Sequence, residues 1–413
     1  MVPLNLPSNL RLFVSFALLF LFFSGLGLAI ANEPSDFLQY WAAGKLWLDG
    51  GSPYDSLKLF EVESMACPVP LQQAEVIHLW NPPFILPLLA PFSILSYPVA
   101  RVLWTILSAA AAAAGWLFAY RSSGFWETAQ RPGASIGNYL LLLLALTFSP
   151  LHSALQFGQI SPFLLLGLVG WLHLYTRSAS SSAALGGGCL LALTLTKPHL
   201  LWLVYAILLL RINQRPASLT CTGAALMVGA GSLIAVFFVP SLGSEYLAAI
   251  YHPLQMFKTP TLGSFLYEWT GQNHAFIRLI PTIVGGIIFL HWHLQHSSSY
   301  SLQQWVYIAI PWSLLLSPYG WHFDQMLLLP SMLWCLKECS NSHYVGGLWA
   351  AGIAIGMNLA VGMLGNTQQG TIWFTALWAI VTFLVARSKI RSQPEAGEQK
   401  PLRLSHGFLS PIP

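Results

Sequence analysis

NPPFILPLLAPFSILSYP, residues Asn81 to Pro98, is the stretch whose reading decides how this chain is laid out. Its apolar content invites a membrane span. Its prolines argue otherwise, because Pro82, Pro83, Pro87 and Pro91 remove backbone donors and break regular helix hydrogen bonding. Charge settles the matter. Counting residues 81–98 as a full span would put Arg121 and Arg131 outside and invert the placement of basic residues in every later connection. The stretch therefore reads as a half-inserted or interfacial element at the outer face, tolerated only if other protein covers its backbone.

Composition agrees with a membrane setting. The chain has 413 residues, of which 55% are hydrophobic and 8% charged. A soluble domain carries roughly 25% charged residues, so a soluble globular protein is excluded. The net charge of +4, with no long basic run, argues against a nucleic-acid partner. Apolar segments at residues 12–31, 99–120, 139–153, 162–175, 183–196, 200–210, 219–239, 276–291, 305–316, 325–336, 345–363 and 371–386 predict about 12 transmembrane helices. Several are shorter than the roughly 20 residues of a straight span. Their ends must run into the flanking polar motifs, or some are half-helices. The first segment ends in Ala29-Ile30-Ala31 like a cleavable signal peptide, yet its length suits a retained helix. The expected fold is an all-α polytopic membrane protein: one transmembrane domain over residues 1–390 and a polar, disordered cytoplasmic tail over 391–413.

Arg121, Arg131, Arg177, Arg211, Arg215, Lys337, Arg387, Lys389 and Arg391 fall in alternate connections, and Arg11 agrees with them, which makes those connections, and both termini, cytoplasmic. The opposite side is acidic. Glu33, Asp36, Asp49, Asp55, Glu61, Glu63 and Glu75 are half of the 14 acids and crowd into one outer loop, residues 32–98. That loop holds DFLQYWAAGKLWLDGGSPYD (Asp36 to Asp55), in which a carboxylate just beyond the first span is the first candidate for chemistry.

Polar motifs recur at the outer ends of later helices: SALQFGQIS (153–161), TLTKPH (194–199), SPYGWHFD (317–324) and GNTQQG (365–370). Ionisable groups facing lipid are costly, so Lys197, His322 and Asp324 are best explained by a hydrated cavity opening outward. Each alone is equally well an interfacial or capping residue. The histidines in HWHLQH (291–296) fall at the other end of a helix, and Cys335 and Cys339 share a helix face; neither group reads as a metal site. No DxD-like acidic pair lies near Asp36, so a metal-bound nucleotide sugar is not indicated.

The series D-F-x-x-Y-W-A-A-G-x-L-x-x-x-x-G-x-P-Y-D, N-P-P-F, F-G-Q, K-P-H and S-P-Y-G-W-H-F-D resembles glycosyltransferase family 87, which includes polyprenyl-phosphate-mannose-dependent mannosyltransferases. The first motif is long and specific; F-G-Q and K-P-H carry weight only in this order. The resemblance implies a GT-C-like fold with a structured first extracytoplasmic loop, in a membrane that is expected to be prokaryotic plasma membrane. It implies Asp36 as catalytic base and His322 as a second catalytic group on the donor phosphate or the reacting sugar. By the same resemblance Lys197, Gln159, Tyr40, Tyr54, Asp55 and Asp324 bind substrate or shape the loop. No cofactor is expected beyond the lipid-phosphate sugar co-substrate, no residue is assigned to a metal, and the sequence leaves metal dependence open. The partners implied are the lipid bilayer, a polyprenyl-phosphate sugar donor as co-substrate, and a glycan or glycolipid acceptor.

Elementary chemistry reaches a similar requirement. An inverting transfer needs a carboxylate to take the acceptor proton, and a lipid-phosphate leaving group needs charge stabilisation more than protonation. Two other classes fit a polytopic chain. A transporter or flippase would place its polar groups near the midplane on broken helices, often with repeats. A surface-polysaccharide polymerase or ligase would carry a large late outer loop with an Arg pair, which is missing.

Overall fold

The computed structural model describes residues 35–66, 79–124, 143–145, 147–177, 180–250, 257–271, 274–342, 344–364 and 368–392. Among the described residues all regular structure is helical, with no strand. The segment expected as first helix, residues 12–31, lies outside them, as do most of the 139–153 segment's first half and the tail from residue 393.

Among the described residues four helices are both long and apolar enough to cross a membrane: Tyr97–Ser122, Arg215–Phe238, Ala275–Gln295 and Gln369–Lys389. The sequence led to about twelve, and several of the described segments fall short of a crossing for a local reason. Segments such as 200–210 and 305–316 form the helices Trp202–Leu210 and Leu302–Leu316, of 9 and 15 residues. At about 1.5 Å per residue these rise well short of a ~30 Å hydrocarbon core. Others gain length by running into their polar motifs. Ser181–Ala192 continues as the 3₁₀ turn Leu193–Thr196, and the 3₁₀ turn His322–Leu328 leads into Leu329–Ser342.

The proline-rich stretch folds as a 3₁₀ turn, Pro83–Ile85, and a short helix, Leu86–Ser93. Prolines set where helices begin: Pro87 lies in the first turn of this helix and Pro98 in that of Tyr97–Ser122. Eleven apolar residues from Pro83 to Ser93 rise about 16 Å, half of a crossing. Protein covers the element on two sides. Ser93 Oγ donates to Trp41 O at 2.8 Å and Trp41 Nε1 to Leu95 O at 3.0 Å, which fastens it to the helix Asp36–Leu48. On the other side Gly231 of Arg215–Phe238 lies so close to Phe84 that a Cβ there would sit 2.7 Å from its carbonyl oxygen.

Small residues bring other helices together in the same way. Gly188 and Gly223 set the backbones of Ser181–Ala192 and Arg215–Phe238 in direct contact, the packing that membrane helices use in the absence of a hydrophobic drive between them. Trp171, Trp305 and Tyr307 are fully buried inside the bundle. Leu233, Phe237 and Ile287 lie on the outward faces of two of the long helices and are exposed, as lipid-facing side chains are.

Candidate active site

Asp36 is the first residue of the helix Asp36–Leu48, where the helix dipole favours an anion. Phe37, fully buried, stacks on Trp104 at 4.8 Å between centroids and on Tyr97 at 6.2 Å. These contacts pin the start of the helix to Tyr97–Ser122. Burial pushes the Asp36 carboxyl above its ordinary range; the Gln159 hydrogen bond and the charges of Lys197 and Arg101 oppose this, and Asp324 adds to it.

Gln159 meets Asp36 through a turn that only glycine builds easily. The helix Ser149–Phe157 ends at Gly158, whose φ of 67° is left-handed. A Cβ at Gly158 would also lie 2.8 Å from Arg101 Nη1 and 2.8 Å from Phe37 Cβ. Tyr97–Ser122 clamps the turn: Trp104 Nε1 donates to Gly158 O at 2.8 Å and Arg101 Nη2 to Gln156 O at 2.9 Å. The Gln159 amide is thereby oriented. Its Nε2 donates to Asp36 Oδ2, while its Oε1 accepts from Tyr40 OH at 3.2 Å and from Lys197 Nζ at 3.1 Å.

Lys197 sits between the 3₁₀ turns Leu193–Thr196 and Pro198–Leu200. Its ammonium donates to Asp324 Oδ1 at 2.9 Å, a buried ion pair, and lies 4.7 Å from the Phe323 ring centre. Asp324 also accepts from Ser161 Oγ at 2.6 Å and from Trp321 N at 3.0 Å. Carboxylate, amide, ammonium and carboxylate thus form one connected row from Asp36 to Asp324. His199, next but one to Lys197, is pushed down to about 3 by burial and by the Lys197 charge, so it is neutral.

His322 is held on its own side of this row. Gln325 Nε2 donates to Thr371 O and Thr375 Oγ1, both at 3.0 Å, so its Oε1 faces His322 Nδ1 at 3.0 Å. Nδ1 must then carry the proton. Nε2 is left as an acceptor, with Ser149 Oγ at 3.1 Å. Burial lowers the His322 pKa, against the pull of Gln325 and Asp324, and keeps the ring neutral.

Of the residues singled out in the sequence, Asp36, Tyr40, Gln159, Lys197 and Asp324 come together in one network, and His322 adjoins it on the Asp324 turn. Tyr54 and Asp55 lie apart. Tyr54 OH donates to Asn81 O at 2.9 Å, and Asn81 Nδ2 to Thr196 O at 3.2 Å, so this pair ties the first loop to the backbone just before Lys197. Asp55 caps the helix Ser56–Ala66 by accepting from Lys58 N at 3.3 Å. Sequence reasoning missed Arg101, Ser161 and Gln325. Arg101 carried a readable signal, an isolated charge at the expected outer end of an apolar helix; two uncharged side chains in or beside known motifs carried none. Among the described residues no three His, Cys, Asp or Glu side chains gather into a metal-binding group.

The fold and the site together define a helical membrane protein with a half-buried, hydrogen-bonded carboxylate at the head of a short helix. The family follows from comparison. The profile of glycosyltransferase family 87 matches residues 79–318, more than half of the chain; the chain belongs to that family and is a membrane glycosyltransferase. The matched span includes Asn81, Gln159 and Lys197, begins after Asp36 and ends before His322. Comparison with curated proteins and with solved structures returned no match.

Proposed function

We propose that this protein transfers a hexose, mannose in the first instance, from a polyprenyl-phosphate donor to a glycan or lipid acceptor on the extracytoplasmic face, with inversion. The observation that carries this reading is the half-buried Asp36 carboxylate, held at Oδ2 by an amide whose own orientation Tyr40 and Lys197 fix. With Oδ2 engaged, Oδ1 is the atom to take the proton of an acceptor hydroxyl. As that oxygen bonds to the anomeric carbon, the bond from the carbon to the phosphate oxygen breaks. The sugar passes to the acceptor, the proton to Asp36, and the electron pair to the lipid phosphate. His322, neutral and carrying its proton on Nδ1, offers the Nε2 edge to the donor sugar once Ser149 turns aside.

The assay that tests this is incubation of purified protein with a panel of radiolabelled polyprenyl-phosphate sugars and a lipid extract. Label should pass from one lipid-phosphate sugar to an acceptor. Transfer from nucleotide sugars alone would refute the donor assignment.

A base works only when ionised, so the acid limb of the kcat profile should lie above the ordinary aspartate range, in the direction that burial moves Asp36. The same shift has an opposite consequence for stability. Between pH 3.8 and the raised folded value the folded state binds more protons than the unfolded one, so the contribution of Asp36 to stability falls as pH climbs through that window. An acid limb at or below pH 3.8 would remove Asp36 as the titrating base.

A further inference from the structure

Two buried cations lie beside Asp36, and they differ in how far they are compensated. Lys197 is neutralised by Asp324 at 2.9 Å and spends a second proton on Gln159. Arg101 is 5% exposed, and none of the ion pairs among the described residues includes it. Its Nη2 donates to Gln156 O, whereas Nη1 is wholly buried without a hydrogen-bond partner. A guanidinium N–H left unpaired in the interior is costly, so such an atom calls for a ligand. Its position names the place. One point, the Cβ position of Gly158, lies 2.8 Å from Arg101 Nη1 and 2.8 Å from the Cβ of Phe37. Phe37 adjoins Asp36 and Gly158 adjoins Gln159, so the unpartnered nitrogen stands next to the Asp36–Gln159 bond.

We propose that Arg101 binds the phosphate of the lipid-phosphate donor through Nη1, the nitrogen left unpartnered beside the Asp36–Gln159 bond. The assignment rests on the donor reading above. A site that holds a carboxylate base and a phosphate together confines two anions, and only an uncompensated cation between them relieves the repulsion. The planar, permanently charged guanidinium matches phosphate oxygens in a way an ammonium does not. As the sugar leaves, negative charge grows on the phosphate, and a cation already fixed in place stabilises it without reorganisation. Lys197, with its charge already matched, then serves to position Gln159.

The test uses the full-length protein in detergent and two probes, a short-chain prenyl monophosphate without sugar and the uncharged prenol of the same length. Wild type should bind the phosphate much more tightly than the alcohol. Arg101→Gln should weaken binding of the prenyl phosphate by about 10- to 100-fold and leave prenol binding unchanged, with Arg101→Lys between the two. A merely structural role would weaken both probes alike. Undiminished phosphate binding by Arg101→Gln would overturn the arginine assignment and leave the donor reading standing. Wild type that ignores prenyl phosphates would overturn both. Should Arg101→Gln fail to fold, a prenyl phosphate with a diazirine on its first isoprene unit should label wild type at residues 101–104 and 156–159. Adducts confined to other parts of the chain would overturn the proposal.

Discussion

Asp36→Asn is expected to reduce sugar transfer by about 10²–10⁴-fold, the range a positioned general base contributes, with the amount of folded protein in the membrane unchanged. Asparagine has nearly the same shape, and its side-chain oxygen can still accept from Gln159 Nε2. It cannot take a proton. The fold should tolerate the change, because burial disfavours the ionised carboxylate and a neutral amide removes that cost. A loss of transfer without a loss of melting temperature would therefore report chemistry rather than collapse. Asp36→Glu keeps the charge but moves it by one methylene away from the acceptor, and should recover only part of the rate. Label transfer in membranes, read beside protein level and thermal melting, separates these outcomes. Turnover in Asp36→Asn equal to that of wild type would end the assignment of Asp36 as base.

Much of this arrangement was legible before any coordinates, and for a physical reason. Charged side chains are so expensive in an apolar chain that each one stands out against its surroundings, and Asp36, Lys197 and Asp324 stand out in that way, whereas Gln159 was singled out by the resemblance of its F-G-Q motif. The reading of residues 81–98 as less than a full span followed from the placement of basic residues together with proline chemistry, and Pro83–Ser93 forms a short helix between two others. What the sequence hid was partnership. Nothing in F-G-Q says that its glutamine will join a carboxylate 123 residues earlier to a lysine 38 residues later. Nothing in N-P-P-F says that Asn81 will tie Tyr54 to Thr196. Of the twelve spans expected, four appear as helices of full crossing length among the described residues. Hydropathy registers apolar content, yet Trp202–Leu210 has only 9 residues and buries Leu203, Val204, Ile207 and Leu208 against protein, a face that composition alone does not distinguish from one turned to lipid.

The largest loss of stability is expected from Asp324→Ala. The pair it breaks is almost dry, with side-chain exposures of 10% for Lys197 and 1% for Asp324. Breaking such a pair by removing one partner costs about 3–5 kcal/mol, because the surviving charge stays buried without compensation. Ser161 Oγ and Trp321 N would lose their acceptor as well. The pair itself contributes little net stability, since two desolvated ions are offset by their attraction, and a well-packed apolar pair does about as well. Lys197→Met combined with Asp324→Leu should therefore recover much of what Asp324→Ala loses, short of the contribution of those two donors. Activity should not follow. Without Lys197, Gln159 Oε1 keeps only Tyr40, its amide is free to turn, and a turned amide would present oxygen to the Asp36 carboxylate. A double-mutant cycle on melting temperature and transfer rate tests this separation. Stability that returns while transfer stays lost means that the buried pair is kept for the orientation of one amide. Transfer that returns with stability would make the pair a packing device, and the alignment of Asp36 would have to come from elsewhere.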